Sequence, residues 1–218
     1  MGITKRNVII TYRLAAAILA WVAICAQLTK QIVSGYSITN FFSYFTVQSN
    51  LIGIVVLAAG AAVLLNGNIL SRSFQMWRGA AVFYLLVTGI VYALLLSHAT
   101  DAQGIMAPWI DTVLHRVMPA VMLFDWLFDR PRVAFARGLA LLWLVYPLAY
   151  FAYSLIRGPI VKWYPYPFLD PSHGYLKVAL TSAAIAVAGA LLALLIGLWP
   201  RPARGQLEVD SAGKTIKD

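Results

Sequence analysis

The sequence FFSYFTVQSNLIGIVVLAAGAAVLL, residues 41–65, decides the class of protein to which the chain belongs. A helix that crosses the hydrocarbon of a bilayer needs about 20 mainly apolar residues. This stretch is long enough, and its polar side chains are confined to the part that ends with TVQSN. It therefore predicts a transmembrane helix whose polar residues lie close to one end.

The rest of the chain has the same character. Of its 218 residues, 61% are hydrophobic and 11% are charged, and the mean hydropathy is +0.77, well above that of soluble domains. Apolar runs of spanning length lie at 8–28, 41–65, 79–98, 109–128, 138–156 and 174–198. We therefore predict an all-α integral membrane protein, a bundle of six transmembrane helices within residues 1–200, followed by a flexible cytoplasmic tail at 201–218.

The positions of lysine and arginine predict the orientation, because cytoplasmic loops are enriched in these residues. If both termini are cytoplasmic, the outer segments contain only Lys30, Arg157 and Lys162. The cytoplasmic segments then contain Lys5, Arg6, Arg72, Arg78, Arg130, Arg132, Arg137, Arg201, Arg204, Lys214 and Lys217. We expect a multi-pass protein of the plasma (inner) membrane. The net charge of +9 is spread over alternate loops, so membrane topology explains it and no nucleic-acid partner is expected. The expected partners are membrane lipids.

Polar side chains of the second and fourth predicted spans lie at one level. Because a helix rises 1.5 Å per residue, Thr46 lies roughly 7 Å below Phe41, and His115 roughly 9 Å below Trp109. Other polar residues near this level are Gln48, Ser49, Asn50, His98, Asp111, Arg116 and Lys177. Polar groups in a bilayer are costly unless they face the bundle interior or water, so this layer predicts a polar cavity open towards the outside.

The fourth span contains the pair that carries most chemical information. Asp111 and His115 are four residues apart and share a helix face, so the carboxylate could hold one imidazole nitrogen protonated and leave the other free as a base. The same pair could instead join helices as a satisfied hydrogen bond. Pro119 cannot donate to the carbonyl of His115, which predicts a kink there.

In the second span, Thr46 and Asn50 lie on one face of the helix. This face indicates either one side of a reactive site or an ordinary contact surface between packed helices.

Other candidates are weaker. His98 and His115 could in principle be axial ligands of a haem, but the sequence has no second histidine pair and no attachment motif. Cys25 is the only cysteine, which excludes a multi-thiolate metal site. We therefore expect no cofactor and no metal. The long side chains of Lys177 and Arg13 are expected to extend towards the headgroups.

The segment 158–173, GPIVKWYPYPFLDPSH, combines prolines with large aromatic residues. The prolines exclude a regular helix, and Trp163 and Tyr166 are amphipathic side chains of the kind that lie at a membrane interface. The segment is either an interfacial anchor, which we favour, or a lid over the cavity. Trp163 and Tyr166, with His98 and Lys177, form the predicted rim of the cavity.

Three stretches carry a resemblance to known proteins: FFSYFTVQSN, DTVLHRVMP followed by FDWLF, and YPLAYFAYSLIRG continuing to WYPYPFLD. Together they resemble the bacterial Pr-six-Pr family of six-span membrane proteins over most of residues 8–198. More distantly, the architecture resembles the androgen-induced and androgen-dependent membrane proteins, which hydrolyse fatty acid esters of hydroxy fatty acids with an intramembrane threonine and histidine. That resemblance implies Thr46 and His115 as the matching positions. The polar QSN run after the threonine departs from the pattern, so the substrate is not carried over.

These observations lead to the hypothesis of a lipid ester hydrolase that acts near the outer leaflet. Thr46 would be the nucleophile, His115 its base, and Asp111 the residue that orients His115. The groups available at this depth to bind substrate and stabilise an oxyanion are Asn50, Gln48, Ser49 and Arg116. The alternative is a non-enzymatic membrane carrier or lipid-binding scaffold that uses the same cavity.

Overall fold

The computed structural model describes residues 2–97, 106–131 and 138–199, and every regular element in these ranges is helical. The first elements are α1 (Ile3–Val33), α2 (Ile38–Phe42), α3 (Phe45–Leu65) and α4 (Arg72–Val91), which continues as a π-helical turn, Tyr92–Leu96. They are followed by α5 (Pro108–Thr112), a second π-helical turn (Val113–Val117) and α6 (Met118–Phe128). A 3₁₀ segment, Leu139–Leu144, leads into α7 (Val145–Val161). The 3₁₀ turns Pro167–Leu169 and Pro171–His173 precede α8 (Tyr175–Leu198).

The prediction of an all-α membrane protein is confirmed. Among the described residues, five helical segments are long and apolar enough to cross a membrane: Ile3–Val33, Phe45–Leu65, Arg72–Leu96, Leu139–Val161 and Tyr175–Leu198. The predicted fourth span corresponds to residues 108–128, which contain Asp111, Arg116 and Asp125 and are not among the five. The tail at 201–218 lies outside the described residues.

Small residues let the helices approach one another closely. On α1, Ala17, Ala20 and Ala23 are buried where this helix packs along α3. On α3, a methyl group added at Gly53 would lie 2.6 Å from Leu85 Cδ1 of α4. Side-chain volume at Gly53 is therefore limited by a side chain of the neighbouring helix, and small residues at such contacts are usual in packed membrane helices.

A buried cluster of charges joins α1, α4 and α6. Arg13 Nε lies 2.6 Å from Asp125 Oδ1, and Arg78 Nε lies 2.5 Å from Asp125 Oδ2. Arg13 Nη2 also reaches Asp129, at 2.7 Å, and the Tyr12 hydroxyl donates to Asp125 at 2.6 Å. Both arginines are 1% exposed and Asp125 is 0% exposed. The expectation that Arg13 extends to the headgroups is therefore wrong, because a carboxylate on another helix binds its guanidinium within the bundle.

Candidate functional site

Thr46 lies in the first turn of α3, just after a break in the helical chain. The backbone of Tyr44 is extended, with φ −75° and ψ 128°, and separates α2 from α3. Two tyrosines of α7 hold this break, since the Tyr150 hydroxyl donates to the carbonyl of Ser43 at 2.9 Å and the Tyr153 hydroxyl lies 2.9 Å from Ser43 Oγ. The break directs the buried Thr46 side chain into the bundle.

The structure brings three of the predicted site residues into hydrogen-bond contact. Thr46 Oγ1 lies 3.2 Å from His115 Nε2. On the other side of the imidazole ring, His115 Nδ1 lies 3.0 Å from Asp111 Oδ1 and 3.1 Å from the Asp111 carbonyl oxygen. A hydroxyl, an imidazole and a carboxylate in this order form the arrangement that activates a hydroxyl nucleophile in many unrelated enzymes.

Tyr92 completes this group and was not predicted from the sequence. Its ring stacks on the imidazole of His115, with centroids 4.2 Å apart and planes 15° apart. Its hydroxyl donates to Asp111 Oδ2 at 2.5 Å. Tyr92 therefore restricts both the ring plane of His115 and the rotamer of Asp111. No local pattern could have revealed it, because Tyr92 is on α4's π-helical turn and its partners are on another helix.

The π-helical turn Val113–Val117 explains the local geometry around His115. In a π turn a carbonyl accepts from the residue five positions later. For Leu114 that residue is Pro119, which has no N–H. Asn50 supplies the missing donor, because its Nδ2 lies 3.1 Å from the Leu114 carbonyl oxygen. The structure thus has a π turn around His115 that a side chain of α3 stabilises, and the kink expected from Pro119 stays a prediction.

Tyr166 reaches the same hydroxyl from the loop between α7 and α8. Its hydroxyl accepts from the backbone N–H of Thr46 at 3.2 Å and lies 3.3 Å from Thr46 Oγ1. Desolvation raises the pKa of Tyr166 above its usual value, so this phenol keeps its proton at neutral pH. Tyr166 was predicted as part of the cavity rim, and the structure places its hydroxyl directly on Thr46.

One assignment of protons satisfies every group in this network. Asp111 accepts from Tyr92 and from Nδ1–H of His115, which leaves Nε2 as an acceptor for the Thr46 hydroxyl. Thr46 Oγ1 then accepts from Tyr166. The tautomer follows from these partners, since hydrogen positions are assigned from the network. With this assignment Nε2 of His115 can take the proton of Thr46.

The predicted substrate and oxyanion residues have other partners. Besides Leu114, the Asn50 amide donates to the Thr46 carbonyl at 2.8 Å. Gln48 donates to the Phe42 carbonyl at 2.8 Å and accepts from Tyr146 at 2.5 Å. These amides connect helices and stabilise the start of α3, so the structure gives them a structural role beside Thr46.

Ser49 and Arg116 also lie apart from the Thr46 hydroxyl. Ser49 Oγ is 2.9 Å from Thr88 Oγ1, a residue of α4 that the sequence analysis did not select. Arg116 is exposed, and its guanidinium lies over the ring of Tyr92, 5.6 Å from the centroid. Ser49 therefore joins α3 to α4, and Arg116 contacts the site through the Tyr92 ring.

The loop between α7 and α8 folds against the bundle over the Thr46 site. The Trp163 ring packs edge-on against Tyr44 at 5.4 Å, and the Arg157 guanidinium lies 5.4 Å from the Trp163 ring. Arg157 also donates to Asn40 Oδ1 at 2.5 Å. Because Tyr166 in the same loop contacts Thr46, the loop covers the site, which is the position that the lid alternative predicts. The interfacial anchor stays a prediction.

The two remaining residues of the predicted rim are His98 and Lys177. His98 lies outside the described residues. Lys177 is exposed near the start of α8, a position that suits contact with headgroups or solvent. In the described part of the chain, no cluster of three histidine, cysteine or acidic side chains has the arrangement of a metal site.

A cavity of about 430 Å³ lies beside Thr46, between α4, α7 and α8. Its wall is mainly apolar, with hydroxyl groups only from a few residues: Thr46, Thr88, Tyr150, Tyr166 and Ser182. The expected polar cavity is therefore an apolar one. The polar residues that follow Thr46 mostly hydrogen-bond within or between helices, which removes their polar groups from the cavity wall.

Comparisons with protein-family models, with curated proteins and with solved structures find no match to this chain.

Proposed function

We propose that the protein is an intramembrane lipid ester hydrolase with Thr46 as its nucleophile and His115 as its general base. The observation that carries this proposal is the 3.2 Å distance between Thr46 Oγ1 and His115 Nε2, with Asp111 3.0 Å from the other ring nitrogen. The apolar cavity beside Thr46 favours a lipid ester over a polar substrate.

The reaction would have two stages. Thr46 Oγ1 attacks the ester carbonyl carbon while His115 Nε2 takes the hydroxyl proton. The bond between the carbonyl carbon and the alcohol oxygen then breaks, and His115 returns the proton to the leaving alcohol. In the second stage a water molecule attacks the acyl-threonine, again with His115 as base, and the free acid leaves as Thr46 regains its proton.

Tyr166 is the donor best placed to stabilise the tetrahedral oxyanion. Its hydroxyl lies 3.3 Å from Thr46 Oγ1, so an oxyanion formed on the carbon attacked by Thr46 would be close to it. An oxyanion needs donors aimed at the position where charge develops. We assign this role to Tyr166 in place of Asn50 and Gln48, whose amide groups donate to backbone carbonyls.

The position in the membrane forms part of the proposal. Residues 108–128 would be a sixth spanning segment, in which the carboxylates of Asp111 and Asp125 are paired with side chains of the bundle, as intramembrane charges require. With both termini in the cytoplasm, Thr46 would face the outer leaflet of the plasma membrane. The three stretches that resemble the Pr-six-Pr family include Thr46, His115 and Tyr166. We therefore propose, together with the function, that the chain belongs to that family.

A second candidate function is a non-enzymatic lipid carrier or scaffold. The observation in its favour is the same apolar cavity, which could bind an acyl chain without any reaction. The two functions differ in their dependence on the Thr46 hydroxyl. A carrier would show no turnover, and its affinity for lipid would be the same in the wild type and in Thr46→Ala.

Labelling with a fluorophosphonate tests the nucleophile directly. The purified protein in detergent should be labelled and should hydrolyse p-nitrophenyl esters of fatty acids, whereas Thr46→Ala and His115→Ala should lose both properties. Thr39→Ala is the matched control, because Thr39 is exposed on α2. Labelling and turnover that survive Thr46→Ala would eliminate the threonine mechanism. Folded wild-type protein that binds fatty acids without turnover would favour the carrier.

A further inference from the structure

The cavity beside Thr46 has a polar end and an apolar end. Thr46 and Tyr166 line one end with their hydroxyl groups. At the other end Phe83, Leu144 and Gly189 converge, because a methyl group added at Gly189 would lie 3.4 Å from Leu144 Cδ2 and 3.5 Å from Phe83 Cζ. The cavity is therefore a slot that begins at the reactive hydroxyl and ends at a floor of apolar groups.

One wall of the slot follows α8 lengthwise. The residues of α8 that line it include Ala179, Ser182, Ala186 and Gly189, whose spacing of three or four residues places them on one helix face. Ten residues of helix correspond to about 15 Å. These four side chains are small, and Ile185 is the one large residue among those of α8 in the cavity lining. Space is therefore left along this face, and it closes where Gly189 meets the floor.

We propose that this slot binds the acyl chain of the ester and measures its length. An unbranched chain would lie along α8, with its carbonyl carbon at Thr46 and its terminal methyl group against Gly189, Phe83 and Leu144. The proposal rests on the proposed function, and it adds a substrate class: esters of long, unbranched fatty acids. A chain that is too long would push its carbonyl group away from Thr46.

The physical basis is the burial of methylene groups. Each methylene that moves from water into the slot should raise the affinity about fourfold. The increase should stop once the chain reaches the floor, because further methylene groups find no space. A plot of affinity against chain length should therefore rise and then level off, and the position of the plateau reports the depth of the slot.

Larger side chains on α8 can shorten the slot at two different depths. Gly189→Leu fills the floor, and Ala186→Leu, one helical turn closer to Thr46, should shorten the slot further. Gly189→Ala is a mild variant, since its methyl group would make contacts of 3.4 Å or more. Ala188→Leu is the matched control, because Ala188 is exposed on the outer side of α8.

The test measures binding separately from turnover. Each α8 variant is made in the Thr46→Ala background, and displacement of the fluorescent fatty acid cis-parinaric acid by octanoate, laurate, palmitate and stearate gives the dissociation constants. The plateau should move to shorter chains in Gly189→Leu and further in Ala186→Leu, by about fourfold in affinity for each methylene group excluded. It should not move in Ala188→Leu.

The outcomes separate the two proposals. A plateau that stays in place in a folded Gly189→Leu or Ala186→Leu protein overturns the length-measuring slot, even if wild-type protein hydrolyses esters through Thr46. A plateau that moves as expected supports the slot, even if no ester is hydrolysed and the proposed hydrolase fails. If Gly189→Leu does not fold, Gly189→Ala and Ala186→Leu give the same comparison.

Discussion

Thr46 Oγ1 and His115 Nε2 lie 3.2 Å apart although 69 positions separate the two residues in the sequence. The contact joins the first turn of α3 to the π-helical turn between α5 and α6. A threonine hydroxyl is a weak nucleophile unless a base takes its proton during attack. The value of this contact for catalysis depends on the residues that hold His115 in one tautomer and one orientation.

Asp111→Asn should lower kcat by about 10²–10⁴ with little change in KM. An amide in place of the carboxylate can offer a proton to Nδ1, which favours the tautomer with Nε2 protonated and unable to act as a base. The measurement is steady-state hydrolysis of a p-nitrophenyl ester at fixed pH. A kcat equal to that of the wild type would show that Asp111 does not position His115.

Tyr92→Phe should have a smaller effect, a decrease in kcat of about 10-fold. The phenylalanine keeps the ring that stacks on His115 and loses only the hydrogen bond to Asp111 Oδ2. Tyr92→Ala removes both contacts and should cost more. The same hydrolysis assay ranks the variants, and equal activity in all of them would argue against a positioning role for Tyr92.

Tyr166→Phe should lower kcat by about 10²–10³ while leaving fatty acid affinity nearly unchanged, because the lost donor acts on charge that develops in the transition state. Tyr175→Phe is the matched control, since Tyr175 is 81% exposed at the start of α8. Turnover and cis-parinaric acid binding are measured on the same preparations. If binding and turnover fell together, Tyr166 would be a substrate contact rather than an oxyanion donor.

That Thr46 and His115 lie near each other could be predicted, because helix rise is constant and both residues follow the start of an apolar run by a few positions. The break between α2 and α3 that places Thr46 in the first turn of α3 was not predicted. The partners Tyr92 and Thr88 could not, because they depend on how α4 is rotated against α3 and α6. The character of the cavity was predicted wrongly for a related reason. Hydropathy identifies polar residues such as Asn50, but it does not show that neighbouring carbonyl groups already accept from its amide nitrogen.

The buried charges illustrate the same limit. Arg13 considered alone is a long cation near a helix end, for which extension to the headgroups is the ordinary expectation. Its partner Asp125 lies 112 positions away in the sequence, and only the packing of α1 against α6 brings them together. Which charged residues pair across such sequence distances can be determined only from the tertiary structure.

Asp125→Asn should destabilise the bundle by about 3–5 kcal/mol, because it leaves Arg13 and Arg78 buried without the carboxylate that both of them bind. Asp129→Asn should cost less, since Asp129 is 20% exposed and both arginines keep their contacts with Asp125. Thermal unfolding in detergent, followed by intrinsic fluorescence, measures both. A melting temperature of Asp125→Asn equal to that of the wild type would contradict a stabilising role for the cluster.

Gly158→Ala should displace the loop that covers the site. A methyl group at Gly158 would overlap the ring of Tyr164, so the ring must move, and Tyr166 two residues later moves with the chain. We expect a loss of about 1–3 kcal/mol in stability and a lower kcat, because the Tyr166 hydroxyl no longer meets Thr46.

Gly2→Ala is the matched control for this substitution, because a methyl group there meets nothing within 4 Å. The combination Gly158→Ala with Tyr164→Ala supplies the space for the added methyl group and should recover part of the stability. Activity lost in Gly158→Ala and still absent in the double variant would mean that Tyr164 itself holds the loop in place. Full activity in Gly158→Ala would show that turnover does not need the loop in the position seen over Thr46.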